Sequence, residues 1–525
     1  MGLKYRSNSI IEKKIELFIF LLTLLIFSIN ILDFPFQGEI YYAYIGQELL
    51  RGNPVFSTTI AVKPPVAYFF DAFLMKVFFF LPNYLAIRVG MLVLSSISMV
   101  LFYKVLKEIT KDGIIPIFSI LITLSFVYFV QDSLNSGLKP IILFFIFLEF
   151  LALFKKNYFI SGFFASMCFM TWQPSGLLLL GPIVYSFLNK ENIKKYIDIL
   201  IGFGISTSLI ILYFFFNGLL TKFIDYVFIL PLSFNIGRFE LLNWLKFTGL
   251  VGYYNTELIF IMFSLFGFVL MLIELIKTFN SKGLLAYTQR NKKAISFLTP
   301  FFFLFLYSIF DFQGSDDVII LLPMISLFSA LFLRKISEKI TISLAIGFIV
   351  LYGFSPYLQA VYPENPLITQ SKETSSISEL IDVAREYKTS ELIYFTFFHR
   401  KGEEMTLGQQ IQMSEYIKGK TSDDEKIFSM GAPELLFLSN RRNINNYFYL
   451  TTRVYTEYIK KEGIVGDLKK NLTEENPKFI VSRNVWMVQR VINLLDIENY
   501  IKYKYVNVSN HPEYIIWERL EGLKD

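Results

Sequence analysis

The chain has 525 residues, 54% of them hydrophobic and 18% aromatic, with a mean hydropathy of +0.48. A soluble domain has too little interior to hide such an apolar excess, so the composition excludes an ordinary soluble enzyme. The formal charge of +6 is modest and its lysines crowd the ends of apolar runs, which reads as membrane topology and not as nucleic-acid binding.

Apolar runs near the roughly 20 residues needed to cross a bilayer predict a polytopic α-helical membrane protein of about eleven spans, within a range of about 10–13. They lie near 15–32, 65–81, 86–106, 114–130, 138–154, 158–187, 196–216, 256–277, 294–311, 317–333 and 339–358. The first run is too long for a removable signal and lacks a small-residue cleavage site, so it is read as a span. The sixth is overlong and is interrupted by Thr171-Trp172-Gln173-Pro174-Ser175-Gly176, which implies a kink or two half-helices in a hairpin. Counting this segment as one kinked crossing puts 17 Lys and Arg in inside segments against 10 outside, whereas a hairpin reverses the bias. The single crossing is therefore expected, with the N-terminus cytoplasmic and the 33–64 loop outside. The basic cluster Lys104, Lys107 and Lys111 falls on the wrong side of that assignment.

Composition divides the chain into a membrane part, 1–359, and a polar C-terminal part, 360–525, expected on the outer face. In the latter, helical patterns at Glu373–Tyr387, Thr406–Lys418, Pro433–Leu438 and Val454–Leu472 alternate with strand patterns. The strands are Lys426–Met430, Phe479–Val481 and a closing antiparallel pair, Ile501–Val508 with Tyr514–Glu518, so a soluble α/β domain is predicted. The lone Cys168 excludes a disulfide framework and a cysteine metal site, and His399 and His511 both lie in the tail. No P-loop is present, so direct ATP hydrolysis is not supported.

Chemistry concentrates in the first loop. Glu39 follows the flexible Gln37-Gly38 link and precedes Tyr41, Tyr42, Tyr44, Gln47, Glu48 and Arg51. Ile40–Leu50 has a helical period that suits a helix lying in the membrane interface with its aromatics at headgroup level. On this reading Glu39 is either a solvated loop acid or a reactive carboxylate. Lys63, held before Pro64-Pro65 at the mouth of the next run, either snorkels or holds a phosphate. Asp71, about two turns after Pro64, either lines a cavity or pairs with a base. Glu149 and Glu274, near span ends, are expected at the surface.

The run GEIYYAYIGQELLRGNPVFSTTIAVKPPVAYFF resembles the start of GT-C glycosyltransferases of the protein-mannosyltransferase-like group, which includes aminoarabinose-transferase-like members. FLALFKKNYFISGFFASMCFMTWQPSGLLLLGP resembles the family's kinked span, and DFQGSDDVIILLP its late outward loop. The resemblance implies a GT-C fold in the plasma membrane and transfer of one sugar from a polyprenyl- or dolichyl-phosphate donor to a lipid-, glycan- or protein-linked acceptor on the outer face. It gives Glu39 the role of general base and Lys63 that of binding the lipid phosphate, with Arg51 and Arg88 as further phosphate contacts. Tyr42, Gln47, Asp71, Trp172, Gln173, Asp316 and Asp317 become candidate cavity residues. Where the family often has an acidic pair, Gly38 precedes Glu39, so no metal ligand is assigned and a divalent cofactor stays open. The rival readings are a secondary transporter, which predicts duplicated halves that the sequence lacks, and a non-catalytic membrane assembly protein.

Overall fold

In a computed structural model, the residues described are 2–28, 31, 40–235, 258–282, 284–310, 315–337, 342–343, 346–347, 349, 407–448, 450, 458–483, 485–509 and 514–520. The chain forms two compact units. The first comprises Met1–Ile31, Val89–Tyr213 and Arg238–Tyr362; the second comprises Leu32–Arg88, Phe214–Gly237 and Pro363–Asp525. The expected boundary at 359/360 and the expected helix 373–387 lie outside the described residues, as does most of the run at 339–358.

The first unit is helical. Among the described residues, four helices are long and apolar enough to cross a membrane: Asn83–Thr110, Ile193–Phe216, Leu258–Lys277 and Ile319–Ser337. Shorter apolar helices occupy Ile114–Ser125, Tyr158–Phe169 and Gln173–Leu188. Helices cross closely where glycine permits it. A Cβ on Gly162 would stand 2.0 Å from the Ile199 carbonyl oxygen, and one on Gly202 the same distance from that of Phe159. Small residues let two backbones touch in this way, which suits helices that gain little from hydrophobic burial in lipid.

Two expectations about the spans are corrected. The run at 65–81 forms only the helix Val66–Val77, whose 12 residues rise about 18 Å, too little to cross a bilayer. The segment 158–187 is a hairpin and not one kinked crossing. The helix Tyr158–Phe169 ends at Met170-Thr171, a 3-10 turn runs over Gln173–Leu179, and a helix returns over Leu180–Leu188. The Tyr158 hydroxyl then donates to Glu191 Oε1 at 2.7 Å, so the segment finishes beside its own start.

These two changes offset each other for every helix after residue 193, and they reverse the helices between 83 and 154. The reversal brings Lys104, Lys107 and Lys111 to the end that carries the basic start of the Gly2–Ser28 helix. Lys104 pairs with Glu16 at 2.9 Å and Lys107 with Glu12. At the same end Lys293 pairs with Glu108, Arg334 Nε reaches Asp112 at 3.2 Å, and Lys292 Nζ donates to Asn189 Oδ1 at 2.6 Å. The misfit of the basic cluster is thereby removed. Glu274 is exposed as expected, whereas Glu149 is fully buried in the Leu138–Phe154 helix.

The second unit contains a five-stranded sheet: β1 (Lys426–Ser429), β2 (Arg442–Asn443), β3 (Phe479–Arg483), β4 (Tyr505–Asn507) and β5 (Tyr514–Arg519). Their spatial order is β2-β1-β3-β5-β4, with β1 parallel to β2 and β3, and β5 antiparallel to β3 and β4. Helix Val485–Leu495 turns Val488, Val491, Ile492 and Leu495 inward, the i, i+3, i+4, i+7 stripe of an amphipathic helix. The expected strand at 501–508 is shorter, because Glu498–Lys504 is helical and only Tyr505–Asn507 pairs with β5. Gly463, with φ +69°, breaks the helix expected over 454–472: residues 458–461 are helical, the chain turns at 462–464, and helix Val465–Glu475 follows.

Candidate functional site

The helix Tyr41–Leu50 is the frame of the first loop. Tyr42, Tyr44, Gln47 and Glu48 are all buried, which corrects the expectation of an interfacial helix with aromatics in the headgroups. Its neighbours in the second unit are the helices Val66–Val77 and Pro433–Ser439. Gly46 makes the first approach possible: a Cβ there would lie 3.0 Å from the Ala72 nitrogen and 3.1 Å from the Tyr68 oxygen. Toward the second neighbour the helix presents polar groups. The Asn443 N–H donates to the Tyr44 hydroxyl at 3.1 Å, and Gln47 Nε2 donates to the Phe437 carbonyl at 3.3 Å. Burial, with Glu48 nearby, pushes the Tyr44 phenol well above its usual range, so it stays a neutral hydrogen-bonding group.

Arg51 closes this helix. It pairs with Glu48, and its Nη2 donates to the Asn440 carbonyl at 2.8 Å and to Asn440 Oδ1 at 2.6 Å. Asn53 Nδ2 donates to the other Glu48 oxygen at 2.7 Å. Glu48 is thus a buried carboxylate satisfied from two sides, and Arg51 is engaged by protein groups.

Glu39 lies outside the described residues, one position before the buried Ile40 from which the helix starts. Lys63 is half-buried and its backbone is fixed by buried Pro64 and Pro65. The Tyr68 hydroxyl donates to the Lys63 carbonyl at 3.1 Å, and the Tyr68 ring stacks on Tyr42 at 5.6 Å. Tyr42 and Lys63 are therefore linked through Tyr68. Asp71 and Arg88 are both fully buried in the same unit. In the same unit Phe56 takes a left-handed backbone (φ 69°) and packs among Tyr68, Phe214, Phe223 and Tyr226. A left-handed aromatic residue is costly and persists only where its surroundings demand it.

Of the sequence-predicted residues, Tyr42, Gln47, Arg51, Lys63, Asp71 and Arg88 belong to one unit. Trp172 and Gln173 belong to the other, at the turn of the 158–188 hairpin. Asp316 and Asp317 stand in the first turn of helix Ser315–Ser337, and their side chains lie outside the described residues. Two residues were not singled out from the sequence. Tyr68 bridges Tyr42 and Lys63. Lys139, 5% exposed, sets its ammonium 3.8 Å over the Trp172 ring. The sequence signal for Lys139 was a cation in the first turn of an apolar helix, the end where the helix dipole disfavours it. An aromatic face is one means of compensating it. Among the described residues no group of three His, Cys, Asp or Glu could hold a metal ion.

The chain shares its fold with crystal structures of ArnT from Cupriavidus metallidurans. The form bound to undecaprenyl phosphate aligns over 99% of each chain with a TM-score of 0.59 and 10% identity. The apo form aligns over 98% of each with a TM-score of 0.57 and 10% identity. No family model matches the sequence, and no curated protein matches it.

Proposed function

We propose that the protein is an integral membrane glycosyltransferase of the GT-C type that moves one sugar from a polyprenyl-phosphate donor to an acceptor at the outer face of the plasma membrane. The observation that carries this reading is the end-to-end likeness in fold to ArnT, one of whose crystal structures holds undecaprenyl phosphate. The aminoarabinose-transferase-like branch of the resemblance is favoured over the mannosyltransferase-like one for the same reason.

In this reading Glu39 accepts the proton of the acceptor hydroxyl as its oxygen attacks the anomeric carbon. The bond from that carbon to the phosphate oxygen breaks with inversion, and the electron pair leaves on the polyprenyl phosphate. Such a leaving group needs no acid, so one carboxylate suffices. The Lys63 ammonium, aimed by Pro64 and Pro65, binds the phosphate and meets the charge that develops on it. Arg88 serves the same phosphate, and Tyr42 and Asp71 line the cavity. Arg51, paired with Glu48 and Asn440, contributes by holding the loop.

The basic end of the helical unit is assigned to the cytoplasm, which puts 32–82, one crossing after it, outside. The test is sugar transfer in membranes. Glu39→Gln is expected to lower transfer by at least about a hundredfold while leaving donor binding intact. Lys63→Ala is expected to weaken binding of undecaprenyl phosphate about tenfold or more. Unchanged transfer by Glu39→Gln would sink the assignment of the base.

A further inference from the structure

A cavity in the sheet-containing unit has a lining that does not include Lys63, Tyr42, Asp71 or Arg88. It has a volume of about 420 Å³, within the range of small-molecule sites. One wall is a single face of the helix Leu407–Lys420, supplied by Ile411, Ser414, Glu415 and Lys418 at i, i+3, i+4 and i+7. The rest of the lining comes from Gln47, from Pro82, Asn83 and Tyr84, and from Phe437, Leu438 and Asn440.

Two of these side chains are buried and each keeps an oxygen without a hydrogen bond. Gln47 is 3% exposed and Ser414 2%, and neither Gln47 Oε1 nor Ser414 Oγ has a partner among the described residues. A buried oxygen left unpaired is costly, and native structures usually supply it a donor. The Gln47 amide cannot turn away, because its nitrogen is held by the Phe437 carbonyl. The lining is held by Arg441, 1% exposed, which donates to Thr421 Oγ1 and to the Thr421 carbonyl, both at 2.8 Å, and pairs with Asp423 at 3.0 Å. That clamp ties the end of helix Leu407–Lys420 to the chain just after Asn440.

We propose that this cleft binds a saccharide. Its lining mixes donors and acceptors, with Gln47 and Ser414 deep and Glu415 and Lys418 at the exposed rim. Hydroxyl groups, which donate and accept at once, satisfy such a set. Tyr84, Phe437, Leu438 and Ile411 supply the apolar part of the lining, which suits a sugar's C–H groups. One carboxylate balances one ammonium, so the cleft carries no surplus of cations for a phosphate. The proposal rests on the transferase reading only for the source of the sugar, which is either the acceptor or the donor's own sugar.

The test uses the full-length protein in lipid nanodiscs, with the methyl glycosides of glucose, mannose, galactose and N-acetylglucosamine as probes in ligand-observed NMR. At least one is expected to bind, and Ser414→Leu, which fills the floor, is expected to weaken that binding about tenfold. Glu415→Gln, on an exposed rim, leaves folding untouched and is expected to weaken it severalfold. In both variants binding of undecaprenyl phosphate stays at the wild-type level. In a transfer assay, a rise in the acceptor KM identifies the acceptor as the source, and a rise in the donor KM identifies the donor sugar. Absence of binding by every glycoside, or equal binding by wild type and both variants, overturns the proposal. Glycoside binding without any sugar transfer would support the cleft and sink the transferase reading instead.

Discussion

Asp112 shows how one side chain serves two elements. Its Oδ1 accepts from the N–H groups of Ile114 at 2.6 Å and Ile115 at 3.3 Å, capping the start of helix Ile114–Ser125, while Oδ2 receives Arg334. Burial pushes its carboxyl up, but the Ile114 N–H and Arg334 outweigh it and hold the group below its ordinary 3.8. A carboxyl lowered in the folded state contributes stability that is present above 3.8 and is lost as pH falls through the folded value. Asp112→Ala is expected to cost about 1 kcal/mol, the usual worth of such a cap. Asp112→Asn should cost less, because Asn caps as well as Asp but carries no charge for Arg334. Thermal unfolding in detergent should show both deficits at neutral pH and their narrowing in acid. At this scale the sequence marks Glu39, Lys63, Gln47 and Trp172 by residue type and position. The partner of Gln47 is illegible in it: the Phe437 carbonyl lies 390 positions away, and one sequence carries no signal for such a contact.

Among the elements, the pair Tyr41–Leu50 and Val66–Val77 depends on the absence of a side chain at Gly46. The atoms a Cβ would meet are backbone, which cannot rotate aside. Gly46→Ala is expected to destabilise the second unit by about 1–3 kcal/mol, as overpacking does, and to reduce transfer by shifting the loop that carries Glu39. Unfolding and activity measured on one preparation check both effects. The helices and strands of the C-terminal segment were mostly readable, since β-type runs bounded by turn residues have few alternatives. The run at 65–81 reads as a span because VAYFFDAFLMKVFFFL is apolar apart from Asp71 and Lys76, and composition cannot tell a short buried helix from a span. The Pro-Ser-Gly break is legible at 174–176, but the charge balance that separates a kink from a hairpin depends on how many spans precede it, and the apolar run at 65–81 adds one too many.

For the whole molecule, the proposed sidedness rests on the basic end of the helical unit, where ion pairs join Glu12, Glu16, Glu108 and Asp112 to four cations. Lys194, exposed after the hairpin, is expected to face the cytoplasm, and Glu474, exposed near the end of helix Val465–Glu475, the outside. A membrane-impermeant maleimide should label Glu474→Cys in intact cells and Lys194→Cys only after permeabilisation. The native Cys168 is buried and gives little background.

The bonds from Gln47, Arg51 and Tyr44 to residues 437–443 also carry a consequence in time. The first loop leaves the ribosome early, yet the carbonyl that holds Gln47 is made 390 residues later. At synthesis rates of about 5–20 residues per second that delay is roughly 20–80 seconds. During that interval the loop carrying the proposed base lacks one of its walls. A chain interrupted before residue 437 would therefore leave its first loop unsupported, and an unfinished protein would be inactive although the residue proposed to do the chemistry was among the first to be made.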